Sequence, residues 1–255
     1  MIARPIPLVI AIDGPSGSGK SSVSRAVAQR LDLAYLDTGA MYRALTWWCA
    51  DRGVDLEDQN AVARAAKDLP LFMVTDPRSP SIQVAGVGID EAIRTTEISA
   101  SVSKVATNLA VRDELFRRQR ALIAESVANS GGVVAEGRDI TTVVAPGADV
   151  RILMVAHQDA RLARRAKELH GEAGHAAMNA THDQIVRRDK DDSTVSQFME
   201  AAPGVTALDT TDLSFEQSVE AVLELVAAQT SRAEIGGSLA DEDRSKVGDN
   251  GSSRA

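Results

Sequence analysis

The chain has 255 residues, 44% of them apolar and 25% charged, with 28 Lys plus Arg against 36 Asp plus Glu and a formal net charge of −8. That length and apolar content allow a sizeable core in one α/β unit with insertions, and the acidic balance gives no general reason to expect nucleic acid or an anionic membrane as partner. A lone Cys49 excludes an intramolecular disulfide and a cysteine-rich zinc site, and without a long apolar run or a cleavage signal a cytoplasmic protein is expected.

Residues 6–12, Ile-Pro-Leu-Val-Ile-Ala-Ile, form a short apolar run suited to a fully buried parallel strand. It leads into Gly14-Pro-Ser-Gly-Ser-Gly-Lys-Ser21, whose spacing of Gly14, four residues, Gly19, Lys20 and Ser21 fits a phosphate-binding loop. Helical spacing of apolar residues follows from Val23 to Leu31, so the motif has the strand-loop-helix context it needs. A triphosphate must be held without water, so the loop turns backbone N–H groups inward, and Gly14, Gly17 and Gly19 are expected to supply the conformational freedom. With Pro15, Ser16, Ser18 and Ser22 they make up the expected ATP-binding stretch. The helix N-terminus adds unsatisfied amides, Lys20 adds a mobile charge for the outer phosphates, and the Ser21 hydroxyl can join a Mg²⁺ coordination shell.

Residues 33–37 read as a second strand, and a helix begins at Thr38, with Thr38 as its cap, and runs toward Gly53. Tyr42 and Arg43 fall in its first turns. Behind a phosphate loop, Arg43 becomes a candidate for a second substrate's phosphate. A polar-faced helix is expected over 57–68. Alternation and turn residues over 71–90 predict a small antiparallel sheet inserted into an otherwise alternating chain.

Helical patterning covers 97–129 with a break near Asn108, and carries Ser103, Arg112, Arg117, Arg118 and Arg120. The arginine run 117–120, taken alone, reads as a solvated face. A strand over 133–135 ends in Glu136-Gly-Arg-Asp139, and charged residues at that end of a strand suit ligand binding, because open α/β sheets bind along that edge. A strand at 150–155 and a helix at 159–169 follow. A glycine-bearing stretch at 170–179, a helix at 181–190 and the charged run Arg187-Arg-Asp-Lys-Asp-Asp192 make 156–200 a plausible lid. A last strand at 205–208 precedes a helix opened by a capping box of Ser214 and Gln217. Residues 231–255 lack apolar periodicity and are expected to be a disordered tail.

The alternation specifies an α/β chain: a three-layer P-loop fold with a mainly parallel sheet, an inserted small α+β subdomain at 60–110 and a mobile lid. Residues 1–59, 111–155 and 201–230 form the expected core. No Asn-Lys-x-Asp or Asp-x-x-Gly segment occurs, which argues against a GTPase. Small-molecule kinases for guanylate, thymidylate or shikimate, and a non-catalytic nucleotide-binding regulator, stay open at this point.

Five segments together are more specific: Gly14-Pro-Ser-Gly-Ser-Gly-Lys-Ser21, Asp37-Thr-Gly-Ala-Met-Tyr-Arg43, Arg117-Arg-Gln-Arg120, Glu136-Gly-Arg-Asp-Ile-Thr-Thr-Val-Val144 and Arg188-Asp-x-x-Asp192. In this combination the chain resembles the bacterial cytidylate kinases, over residues 6–228. The resemblance implies transfer of the ATP γ-phosphoryl group to CMP or dCMP with Mg²⁺; a monomer with no nucleic-acid or membrane partner is expected. It further implies that Arg43 and Arg138 grip the acceptor phosphate beside Tyr42 and Thr38, and that Ser103, Arg112 and Asp139 read the cytosine edge. Asp192 would contact the ribose, and Arg188 would reach the reacting phosphates beside Lys20 and Arg138. The family commonly carries a further arginine where this chain has Val195; Arg187, Lys190 or Arg165 could supply that charge.

Overall fold

The computed structural model describes residues 7–170, 187 and 189–247. The chain runs β1 (Leu8–Asp13), α1 (Lys20–Leu31), β2 (Ala34–Asp37), α2 (Thr38–Asp51) and α3 (Gln59–Asp68), then a hairpin sheet of β3 (Leu71–Val74), β4 (Ser81–Val84) and β5 (Val87–Gly88). Helices α4 (Thr96–Ala106) and α5 (Leu109–Ser130) lead to β6 (Gly132–Gly137), β7 (Val150–Val155), α6 (Gln158–His170), β8 (Thr206–Asp209) and α7 (Phe215–Val247).

The main sheet has the order β2-β6-β1-β7-β8, and every pairing in it is parallel. Parallel strands are covered on both faces, which is why β1 up to Ile12 and β6 up to Ala135 read as apolar runs. On one face Val23 and Val27 of α1 and Val219, Val222 and Val226 of α7 pack against Ile10, Ile12, Ile152 and Met154. On the other, Phe116 and Ile123 of α5 pack against Ala11, Leu36, Val133 and Ala135. A separate core under the antiparallel sheet β3-β4-β5 joins Leu45, Cys49, Val62, Ile82, Val84, Val105 and Leu115. The register decides the chemistry of the sheet edge: Ile12 lies opposite Glu136, Asp13 opposite Gly137, and Asp37 opposite Glu136. Three acidic residues distant in sequence therefore end their strands side by side.

Local capping refines several expectations. The cap of α2 is Asp37 rather than Thr38: its carboxylate accepts from the Ala40 N–H at 2.9 Å, while the Thr38 hydroxyl donates to the Glu136 carbonyl at 2.8 Å. Asp37 is the last residue of an extended strand, and that backbone is what an N-cap requires. Asn108 caps α5 and accepts from the Ala110 and Val111 N–H groups, which accounts for the break between α4 and α5. Ser214 and Gln217 form the reciprocal capping box, at 2.8 and 3.2 Å. Helix α7 then continues to Val247, past residue 230, where a disordered tail was expected to begin.

The arginines of α5 divide. Arg117 is exposed and pairs with Glu114 at 2.7 Å, as a solvated face would. Arg118 instead donates to the Ala66, Lys67 and Leu69 carbonyls at the end of α3, and Arg120 donates to the Val143 carbonyl. Helix ends leave carbonyls without partners, and a guanidinium satisfies them. Among the described residues no helix is long and apolar enough to cross a membrane.

Candidate active site

The phosphate loop joins β1 to α1. Gly17 and Gly19 have φ of 77° and 88°, the left-handed region that glycine enters without strain. Gly14 is needed for a different reason than conformational freedom: a Cβ there would sit 2.3 Å from the Met154 carbonyl oxygen of β7. Gly19 caps α1 without any side-chain bond, so the first-turn amides remain available to an anion. The loop's carbonyls are turned away and satisfied elsewhere: Ser16 by Arg161 at 3.0 Å, and Ser18 by Thr210 at 3.1 Å and Arg164 at 3.3 Å. These α6 arginines carry no motif signal; their role in shaping the loop is visible only in three dimensions.

Beneath the loop lies the acidic sheet edge. The Ser21 hydroxyl donates to Glu136 Oε1 at 2.6 Å, and Lys20 Nζ stands 3.9 Å from Glu136 Oε2. Burial, then repulsion from Asp37, pushes the Glu136 carboxyl up to about 7, against the pull of Lys20 and Ser21. Burial also works to raise Asp37, but its ion pair with Arg43 at 2.8 Å and the Ala40 N–H hold it below the ordinary carboxylate value. On the other side of β6, Asp13 is 1% exposed, and its carboxylate accepts from the Ile140 and Thr141 N–H groups and from the Thr141 hydroxyl. Burial raises it despite those bonds. Asp13 thereby fixes the turn Ile140–Val144 directly after Arg138 and Asp139. That turn is wound with i→i+5 bonds, as Val144 N–H donates to Asp139 and Ala145 N–H to Ile140, a device that recurs at functional sites.

The loop and the acidic edge open into one cleft of about 530 Å³, whose far wall is basic. Lys20, Ser21, Thr38, Tyr42, Arg43, Arg112, Arg138, Asp139 and Asp192 all line it. Arg112 and Asp139 form a buried ion pair at 2.9 Å; Arg112 also donates to the Ala106 and Val195 carbonyls and the Ser196 hydroxyl, and lies over Phe116. Val195 thus takes part through its backbone. Arg138 is held by Asp189 and Asp192, each at 3.0 Å.

One residue expected at the acceptor site does not line this cleft. Ser103 of α4 lines a separate groove with Lys104, Thr107, Arg187, Asp191 and Thr194, whereas Ser99, Val102 and Ala106 of the same helix face the cleft. Serines at 99, 101 and 103 look alike in sequence, and only the packing of α4 decides which one faces inward. Arg188 lies outside the described residues. Residues that sequence reasoning missed include Arg94, Ser99 and Gln119, all in the cleft wall, and Asp189. The Ser99 hydroxyl and Arg43 Nε are buried without a hydrogen-bond partner among the described residues. A buried polar group left unpaired costs about 1–3 kcal/mol, so this cleft suits a polar ligand. Among the described residues no three His, Cys, Asp or Glu side chains converge as a metal cage.

A phosphate-binding loop at the carboxyl edge of a parallel sheet, facing an arginine-lined pocket, defines an α/β protein of the P-loop kinase class. The family model for cytidylate kinase matches residues 10–228, and the chain belongs to that family. It is 45% identical over 226 residues to a cytidylate kinase of Streptomyces avermitilis, covering 88% of this chain and 95% of that protein. It is 49% identical over 221 residues to a cytidylate kinase of Cutibacterium acnes, covering 86% and 96%.

Proposed function

We propose that the protein transfers the γ-phosphoryl group of ATP to CMP or dCMP, giving ADP and CDP or dCDP. One observation carries this reading: the phosphate loop and the buried Arg112–Asp139 pair open to the same cleft, so a triphosphate and a base-bearing monophosphate can meet within it. The residues from Gly14 to Ser22 bind the ATP phosphates, with Lys20 on the outer ones. Arg43 and Arg138, with Arg94 beside them, bind the acceptor phosphate through planar forks that match its oxygens. Asp139 accepts from the cytosine amino group, and Arg112 donates to the ring nitrogen or carbonyl.

An oxygen of the acceptor phosphate attacks the γ-phosphorus, and the bond from the γ-phosphorus to the β–γ bridging oxygen breaks as ADP leaves. A phosphate dianion is already a competent nucleophile, so positioning and charge stabilisation are what the protein contributes. The donor set fits Mg²⁺, because the Ser21 hydroxyl and Glu136 carboxylate are hard oxygen ligands and this ion takes one or two such groups together with substrate phosphates. Bound there, Mg²⁺ would offset charge on the β- and γ-phosphates.

The test is ADP release in a coupled assay with CMP, dCMP, UMP, GMP and shikimate as acceptors. CMP and dCMP are expected to be the preferred acceptors, and no turnover with either overturns the reading. Arg138→Met is expected to lose roughly 10³-fold or more in turnover, by analogy with other transition-state arginines. A folded variant with near-normal rates would remove Arg138 from the transfer site.

A further inference from the structure

Asp189 has no part in the roles argued so far, yet it joins the two halves of the cleft. Its side chain is 9% exposed. One carboxylate oxygen accepts from the backbone N–H of Ser16 at 3.2 Å and from Arg138 Nη1 at 3.0 Å. The other accepts from Arg161 Nη1, which also donates to the Ser16 carbonyl at 3.0 Å. Three separately folded pieces, the phosphate loop, the turn after β6 and helix α6, therefore meet on one carboxylate.

The physical need for an anion at that point follows from its neighbours. Two guanidinium groups and an inward-facing loop amide are gathered around one small volume, and without a compensating charge they repel one another. Arg138 also stacks over the fully buried Phe198 ring at 4.3 Å from its centroid, and its Nε bonds Asp192. Its fork is thus fixed from three sides, and Asp189 is the contact that ties it to the loop. A long side chain held this way loses its rotamer freedom before substrate arrives, which is what preorganised charge stabilisation requires.

We propose that Asp189 is a positioning residue for phosphoryl transfer: anchored on the Ser16 N–H and Arg161, it holds Arg138 against the phosphate loop, so that donor and acceptor phosphates are gripped in a fixed mutual geometry. This rests on Arg138 contacting the transferred group. The competing possibility is that the carboxylate only occupies the place of a phosphate and leaves when nucleotide binds.

Asp189→Asn keeps the shape and removes the charge, and Asp189→Glu keeps the charge. For each, kcat, the KM values for CMP and ATP, the Kd for ATP by calorimetry and Tm are measured. For Asp189→Asn, kcat is expected to fall roughly 10- to 100-fold while both KM values move less than about threefold, a split that marks loss of transition-state alignment. Asp189→Glu is expected to recover part of kcat. In an Arg138→Met background the Asn substitution is expected to cost less than about twofold more, because residues acting as a unit are non-additive. Tighter ATP binding with unchanged or higher kcat overturns the proposal in favour of a placeholder. A full additional loss in the Arg138→Met background also overturns it, since Asp189 would then act without Arg138. An Arg138→Met enzyme with normal turnover marks failure of the underlying reading instead.

Discussion

Removing the carboxylate of Asp139 separates its ion pair with Arg112 from the base-reading role proposed for it. The pair is buried, with side chains 7% and 8% exposed. Breaking a buried pair by deleting one member costs about 3–5 kcal/mol, because the other charge stays buried. Here Arg112 keeps three oxygen partners, the Ala106 and Val195 carbonyls at 3.2 Å and the Ser196 hydroxyl at 3.0 Å, so the lower end applies. For Asp139→Ala that is about 3 kcal/mol, or roughly 6–12 °C in Tm for a chain of this size. The effect on catalysis has a different origin. A hydrogen bond to a charged acceptor is worth about 1.5–3 kcal/mol, so kcat/KM for CMP should fall roughly 10- to 150-fold. UMP offers no amino donor and should change little, so the CMP-over-UMP preference narrows by that factor. ADP release with both acceptors, alongside calorimetric unfolding, measures the two effects independently. A folded variant that loses stability but keeps its CMP-over-UMP ratio would refute base reading by Asp139 and leave it only the structural job.

Gly14→Ala would place a methyl group 2.3 Å from the Met154 carbonyl oxygen, so β1 and β7 must part at the phosphate loop. A loss of about 1–3 kcal/mol, with weaker ATP binding, is expected by denaturant titration and calorimetry. Ala85 and Gly86 both have positive φ, 51° and 79°, in the two-residue turn between β4 and β5. Such turns favour Asn-Gly, so Ala85→Asn should raise stability by about 0.5–1 kcal/mol in urea. Hydrogen bonds from Arg117, and then from Arg118, bring the Glu114 carboxyl down to about 2. Because its folded pKa is lowered, its stabilising effect is complete above the ordinary carboxylate range and is lost as pH falls from about 4.5 toward 2. The stability advantage over Glu114→Gln should be under about 1 kcal/mol at pH 6 and shrink by pH 3, since one of its partners is a solvated arginine. A pH-independent difference would show that the ion pairs are not its source.

Much of the site was legible because a phosphate loop is a local device. Its glycines, lysine and serine lie within one short stretch, and Arg43, Arg112, Arg138 and Asp139 belong to segments whose ends face one sheet edge. What could not be read was orientation around a helix axis and pairing across the cleft. Ser99 and Ser103 stand four residues apart on α4, yet they line different cavities. The arginines at 118 and 120 carry the same charge as Arg117, but they end on carbonyls of α3 and of the turn after β6. Asp37 and Thr38 compete for the same cap, and strand geometry at Asp37 settles the matter.

The amino-acid order by itself determined the alternation of strands and helices, the anion cradle after the first strand and the inserted antiparallel sheet, because each depends on hydrophobic period and turn residues close together in the chain. Only the tertiary structure decided that Asp13, Asp37 and Glu136 share one edge, and that Asp189 bridges loop and arginines. Those arrangements come from strand register and from side-chain contacts that span 28 to 173 residues of sequence, and no local pattern encodes either.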